Sequence, residues 1–64
     1  MAFAAVVART SPQGTEYLVR DAGRAAEWAL SAQAAARFQN LREATRAALR
    51  LPGRLRAYAL PAIS

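Results

Sequence analysis

The fold is decided by one stretch of the sequence, NLREATRAALRLPG at residues 40–53. Asn40 is a strong helix N-cap, because its side-chain oxygen accepts a hydrogen bond from the backbone of the first turn. Glu43 stands three positions later and completes a variant of the capping box, in which Ser or Thr normally takes the cap. Pro52-Gly53 is a stop signal. Together these residues predict a helix over 41–51.

The apolar residues of this helix recur at helical spacing. They predict an inner stripe formed by Leu41, Ala44, Ala48 and Leu49. A helix with a single apolar face needs one surface to pack on. We therefore expect it to cover one face of a sheet built from the rest of the chain.

Two strands precede the helix and form a hairpin. Residues 3–9 contain a Phe and two Val and predict the first strand, and residues 15–20 predict the second from their β-branched and aromatic content. Residues 10–14 between them are typical of a turn, since Pro12 fixes φ and Gly14 tolerates a positive φ. The short connection makes the pair antiparallel.

The segment between the hairpin and the helix allows two interpretations. After a turn at 21–23, we expect a short strand at 27–30 and then a helical turn capped by Ser31. Because alanine is the best helix former, the alternative is one helix over 22–38, which with 41–51 would give two helices after the hairpin.

Three large aromatic side chains are expected in the core: Phe3, Trp28 and Phe38. A small domain depends on its few large side chains, so we predict that Trp28 is mostly buried. The alternative for Trp28 is an interface position, since tryptophan is enriched at binding hot spots.

The chain closes with a strand. Residues 54–60 alternate between polar and apolar, and Pro61 ends the pattern. The order of elements is thus β-β-(β)-α-β. The predicted fold class is α+β, a small antiparallel sheet with one main helix packed on one face, in a single small domain over residues 1–64.

The sequence lacks the residues on which most catalysis depends. Its 64 residues include neither His nor Cys, so the usual Ser-His and Cys-His pairs, disulfides and thiolate metal sites cannot form. Its four carboxylates show no metal-type spacing and are Glu16, Asp21, Glu27 and Glu43. We predict no enzyme activity, no cofactor, and no catalytic or metal-ligating residue.

Charge and length indicate the kind of partner. Nine arginines against four acidic residues give a net charge of +5, which favours acidic or polyanionic partners. No stretch reaches the roughly 18–20 apolar residues that a membrane-spanning helix needs, so we expect a cytoplasmic protein that does not use a membrane. Since the chain is short and has no disulfide, a homodimer through the edges of its first and last strands is a further hypothesis.

The arginines of the second half form the predicted binding surface. We assign partner binding to Arg42, Arg46, Arg50, Arg54, Arg56 and Tyr58. The first three recur every four residues and form one exposed line on the helix. The last three alternate along the closing strand, with the tyrosine on the arginine side. Arginine suits such a surface because its planar fork binds carboxylates and phosphates bidentately. A merely solvated helix face and a strand edge protected by charge remain the alternatives.

A pattern of core aromatics and a helix cap runs through about residues 17–60. It follows a Tyr-containing strand, precedes a closing strand, and consists of Trp28, Ser31, Ala36, Phe38, Asn40, Glu43 and Ala44. This pattern resembles very short proteins encoded by phages, prophages and other mobile elements. Some small proteins of this pool are anti-CRISPRs, which bind a host defence complex and block it without chemistry. Because the shared motifs are structural, the resemblance implies no functional residue.

These observations predict a non-enzymatic binding protein of the phage and mobile-element type. We expect an inhibitor of a host complex that occupies an acidic protein surface with its arginines. One alternative is a basic accessory protein that binds nucleic acid, which the charge favours although no recognised nucleic-acid-binding motif is present. Another alternative is a structural or assembly component of a phage.

Overall fold

The computed structural model describes residues 4–22 and 25–62. Its strands and helix are, in chain order, β1 (Ala5–Ser11), β2 (Gly14–Ala22), β3 (Ala25–Ala29), α1 (Leu41–Arg50) and β4 (Tyr58–Pro61). The strands form one antiparallel sheet in the order β3-β2-β1-β4, and α1 packs on one face of it, against β1 and β4. The predicted α+β class is confirmed. Phe3, a predicted core residue, and Gly23, a predicted turn residue, lie outside the described residues.

β1 and β2 form the predicted hairpin, and its turn is tighter than the sequence indicated. Because β1 continues to Ser11 and β2 starts at Gly14, only Pro12 and Gln13 form the turn. The Ser11 hydroxyl closes it by accepting a hydrogen bond from the Gln13 N–H at 3.2 Å and donating one to the Gly14 carbonyl at 2.9 Å. Gly14 has a φ of 124°, which other residues rarely adopt, so glycine is required here.

β2 and β3 form a second hairpin, in which β2 extends beyond its predicted end and β3 spans Ala25–Ala29 and not the predicted 27–30. β2 continues to Ala22, which pairs with Ala25, so the turn predicted at 21–23 is wrong for its first two residues. Cross-strand pairing outweighs the turn preference of the local sequence here. The register shifts between Leu18 and Arg20, a displacement typical of a β-bulge.

The segment after β3 follows the strand-and-turn interpretation, and the single helix over 22–38 is wrong. A 3-10 turn spans Ala32–Ala34. The Ser31 hydroxyl accepts a hydrogen bond from the Gln33 N–H at 3.2 Å, which confirms the predicted cap.

Residues 36–38 explain why no long helix forms. They lie between β1 and β2 where these strands diverge. The Ala36 N–H donates to the Leu18 carbonyl at 2.8 Å, and Phe38 exchanges two backbone hydrogen bonds with Ala5, at 3.0 and 2.8 Å. These bonds need extended backbone, so tertiary pairing overrides the helix propensity of the alanines. Phe38 packs against the core, as predicted.

α1 begins where the sequence predicted and ends one residue earlier. The Asn40 side chain accepts a hydrogen bond from the Glu43 N–H at 2.9 Å. At the other end, the N–H of Leu51 donates to the Ala48 carbonyl, while Leu51 itself has extended backbone. Pro52 then prevents a further helical turn.

Replacing Asn40 with alanine is expected to lower the free energy of unfolding by about 1 kcal/mol. The substitution leaves the Glu43 N–H without its side-chain acceptor and changes no core contact. Urea denaturation followed by circular dichroism measures the difference. Asn40→Asp is the matched control, because aspartate also caps helices, and it should stay near wild type. Equal stability of the alanine variant and the wild type would contradict the role of the cap.

The inner face of α1 differs from the prediction. Leu41 and Leu49 were expected inside, yet they are 48% and 78% exposed. The buried residues of this region are Ala44, Ala47, Ala48 and Leu51. These four also recur at helical spacing, and the small side chains of the three alanines let the helix lie close to the sheet. The inner face of α1 is therefore rotated about the helix axis from the face that the sequence predicts.

The closing strand is shorter than the predicted 54–60. A 3-10 turn spans Gly53–Leu55, and Arg56 follows in the left-handed region with φ of 52°. Leu55 packs against the core from this turn. Only Tyr58–Pro61 pair with β1.

The core lies between α1 and the sheet and is built mainly from small residues. Its largest fully buried side chains are Leu18 and Val7. Trp28 packs against this core and is partly buried, so its predicted burial is met in part. The Arg9 guanidinium lies 4.3 Å from the centroid of the Trp28 ring, and the Arg9 Nε donates to the Glu16 carboxylate at 2.8 Å. This stack covers part of the ring.

Candidate functional site

The surface of α1 that points away from the sheet combines two lines of side chains, which we call the outer helix face. One line is basic and consists of Arg42, Arg46 and Arg50. The neighbouring line consists of Leu41, Thr45 and Leu49. Both lines recur every four residues, so each runs along the helix with successive members about 6 Å apart. All six residues are exposed.

The arginines of the outer helix face form no ion pair with any acidic side chain that the structure describes. Among the described side chains, ion pairs join Arg9 to Glu16 and Arg20 to Glu27, all four in the sheet. Within residues 4–22 and 25–62, Glu43 lies on α1 and forms no ion pair with an arginine. Arg42, Arg46 and Arg50 are exposed, so their guanidinium groups can reach a partner.

The charge of the protein is unevenly distributed along the chain. Residues 1–35 contain three arginines and three acidic residues, whereas residues 36–64 contain six arginines and one glutamate. The net charge of +5 thus comes from the second segment, which contains α1 and the turn that follows it. An acidic partner would be attracted to this part of the molecule.

Tyr58 lies on a different side of the sheet from the arginines of α1, although the sequence placed them on one surface. Arg54 and Arg56 are exposed, but they belong to the turn after α1 and not to a strand. Val7 packs against α1, and successive residues of a strand point to opposite faces, so Ala8 points away from the helix. Tyr58 lies opposite Ala8 and therefore points to the same face, away from α1. It is 37% exposed there, and its hydroxyl is 3.4 Å from that of Thr10. Tyr58 consequently does not extend the outer helix face.

Leu41 and Leu49 are the site residues that the sequence interpretation missed. They were assigned to the core because leucine is usually buried in an amphipathic helix. A signal was nevertheless present, because a stripe of Ala44, Ala47 and Ala48 with Leu51 also satisfies the helical period. Choosing that stripe leaves both leucines outside, beside the arginines.

A shallow cavity of about 210 Å³ lies on the face of the sheet that α1 does not cover. Its lining is mostly apolar and is formed by Val6, Tyr17, Ala32, Arg37, Leu60, Pro61 and Ala62. Arg37 is the charged residue of this lining. The cavity and the outer helix face lie on opposite sides of the sheet, so they do not form one site.

Within residues 4–22 and 25–62, no group of three or more acidic side chains is placed to hold a metal ion. No helix of that part of the chain is both long enough and apolar enough to cross a membrane. Known family models, curated proteins and solved structures were compared with the chain, and none matches it.

Proposed function

We propose that this chain is a non-enzymatic binding protein whose outer helix face attaches to an acidic surface of a larger protein. The partner surface would present carboxylates around an apolar centre. In this proposal the chain acts by occupation, as an inhibitor of a host complex of the kind encoded by phages and mobile elements. Its resemblance to such proteins and its lack of His and Cys support this class.

The observation that supports a protein partner is the line of leucines beside the arginines. Leu49 is 78% exposed and Leu41 is 48% exposed. A phosphate backbone complements arginine but gives an exposed leucine little apolar surface to contact. A protein surface can complement both lines at once, since the centres of protein interfaces are apolar and their rims are polar.

The leucines and the arginines of the outer helix face differ in the binding free energy that each can contribute. A leucine that passes from water to a buried position contributes roughly 1.5–3 kcal/mol. A solvent-exposed ion pair contributes under about 1 kcal/mol. The leucines would therefore supply most of the affinity, while the arginines orient the encounter and raise the association rate.

Nucleic acid remains a second candidate because of the same three arginines. Their spacing of about 6 Å along the helix is compatible with successive contacts to a polyanion. The two candidates differ in what they require of Leu41 and Leu49. Protein binding needs the leucines, and binding through phosphates does not.

We expect charge reversal of the outer helix face to abolish partner capture without unfolding the protein. The test variant replaces Arg42, Arg46 and Arg50 with glutamate, and a second variant replaces Leu41 and Leu49 with serine. Immobilised proteins are exposed to a nuclease-treated bacterial lysate, and captured proteins are quantified by mass spectrometry. Both variants should lose the proteins that the wild type retains. Circular dichroism verifies that each variant is folded.

Two controls make this result specific. The first control is the double variant Arg54→Glu with Arg56→Glu. It changes the net charge by four units, against six for the triple helix variant, at exposed positions outside α1. It should still capture most of the proteins that the wild type retains. Random duplex DNA is the second probe, titrated with salt, because phosphate contacts weaken steeply as salt rises. The proposal is wrong if the folded helix variants capture the same proteins as the wild type. Binding that requires DNA and ignores the leucine substitutions would instead support the nucleic-acid alternative.

A further inference from the structure

We propose that two copies of this chain associate through the outer edge of β3, which extends the four-stranded sheet into one of eight strands. This contact uses the edge of the sheet and does not involve the partner proposed for the outer helix face. The strand order makes β3 and β4 the edge strands. β1 was expected to offer an edge, but it lies between β2 and β4, so that expectation is wrong.

The hydrogen-bond pattern shows which backbone groups of β3 point outward. Leu18 in β2 lies opposite Trp28, and the Leu18 carbonyl accepts from Ala36 on the side away from β3. In antiparallel pairs, bonded and non-bonded positions alternate. The N–H and carbonyl groups of Trp28 therefore point away from β2, as do those of Ala26. Among the described residues nothing pairs with them.

The edge of β4 is less suited to pairing. The Ala62 N–H donates to the Ala4 carbonyl at 2.8 Å. This bond shows which residue pairs between β4 and β1 are hydrogen-bonded, because bonded and non-bonded pairs alternate. Ala59 and Pro61 then face outward. Proline has no N–H, so this edge offers a single backbone donor within β4, and proline is typical of edges that resist pairing.

Charge also favours β3 as the contact between copies. β3 and its neighbour β2 belong to the chain segment in which arginines and acidic residues balance. Arg20 and Glu27 form an ion pair across these two strands, with Arg20 Nη2 at 3.1 Å from Glu27 Oε1. Five of the six arginines of the remaining segment lie on α1 and the turn after it. Two copies that met through the outer helix face would place like charges together, whereas contact through β3 keeps them apart.

The side chains of β3 fit a second copy in an antiparallel two-fold arrangement. When Trp28 lies opposite the same residue of the second copy, Glu27 faces Ala29 and not another glutamate. Leu30 directly follows β3 and is 56% exposed. The contact would cover the Leu30 side chain of each copy, one at each end. Cross-strand aromatic pairs stabilise such sheets.

Static light scattering of the full chain at increasing concentration tests this inference. We expect a mass that rises toward twice 6.9 kDa. Ala26→Pro should shift the protein to monomer, because it removes an outward N–H at an edge position without removing a bond to β2. Ala59→Pro is the matched control at the other edge, and it should remain dimeric. A wild type that stays monomeric at millimolar concentration overturns the proposal, as does a folded Ala59→Pro variant that alone is monomeric.

Amide hydrogen exchange of the wild type decides the matter even if a proline variant fails to fold. The amides of Ala26 and Trp28 should exchange slowly at high concentration and rapidly on dilution. The amide of Ala59, at the opposite edge, should exchange rapidly at both concentrations. A dimer in which Ala26 and Trp28 remain unprotected would show that the copies meet elsewhere.

Discussion

Leu18→Ala should lower the free energy of unfolding by about 3 kcal/mol. Leu18 is 2% exposed and lies in β2 at the centre of the core shared with Val7 and α1. Truncating a buried leucine lowers the free energy of unfolding by about 3 kcal/mol, because apolar contacts are lost and an unfilled cavity remains. A domain of 64 residues has a total stability of roughly 3–10 kcal/mol. The substitution thus removes a large fraction of it.

The matched control for this prediction is the same substitution at an exposed position. Leu49→Ala also truncates a leucine, but Leu49 is 78% exposed and alanine favours helix more strongly than leucine. Its free energy of unfolding should stay within about 0.5 kcal/mol of wild type. Urea denaturation of the three proteins provides the comparison. Similar losses in both variants would mean that Leu18 does not organise the core.

The boundaries of α1 could be predicted because local signals determine them. The Asn40 cap, the acidic residue in the first turn and Pro52-Gly53 act within a few residues of the helix ends. They need no knowledge of the rest of the fold. The first hairpin was likewise predictable, since a turn cluster between two β-rich segments constrains the chain locally.

Other elements depend on residues far away in the sequence. Residues 36–38 are extended because their backbone bonds to Leu18 and Ala5, and those partners cannot be read from local composition. The start of β4 was also misplaced. Residues 54–57 alternate as a strand would, but Gly53–Leu55 form a 3-10 turn and Arg56 has a positive φ, so the strand begins only at Tyr58.

The candidate site was predicted in part. The exposed line of Arg42, Arg46 and Arg50 follows from helical spacing alone, and the structure places all three where the pattern predicted. The leucine line was missed because two apolar stripes satisfy the helical period. The stripe with the larger leucines was predicted to be buried, and the stripe of alanines is the buried one. Tyr58 was grouped with the arginines because residues 54–58 were treated as one strand.

Ala44→Leu is expected to destabilise the protein by about 2 kcal/mol, even though it adds apolar surface. Ala44 is 0% exposed and lies in the cluster that joins α1 to the sheet. A leucine there has no free volume, so the helix must move away from β1 and β4 or adopt strained side-chain conformations. Either response weakens the contacts of Ala47 and Ala48 as well. Thermal and urea denaturation measure the loss.

An exposed position on the same helix separates crowding from helix propensity. Thr45→Leu introduces the same side chain at a site that faces solvent, and leucine is the better helix former, so stability should be equal to or slightly above wild type. If Ala44→Leu instead stabilised the protein, the helix would have room to accept larger residues. The alanines would then reflect composition alone. Destabilisation at Ala44 together with none at Thr45 would show that the packing of α1 against the sheet requires a small side chain at Ala44.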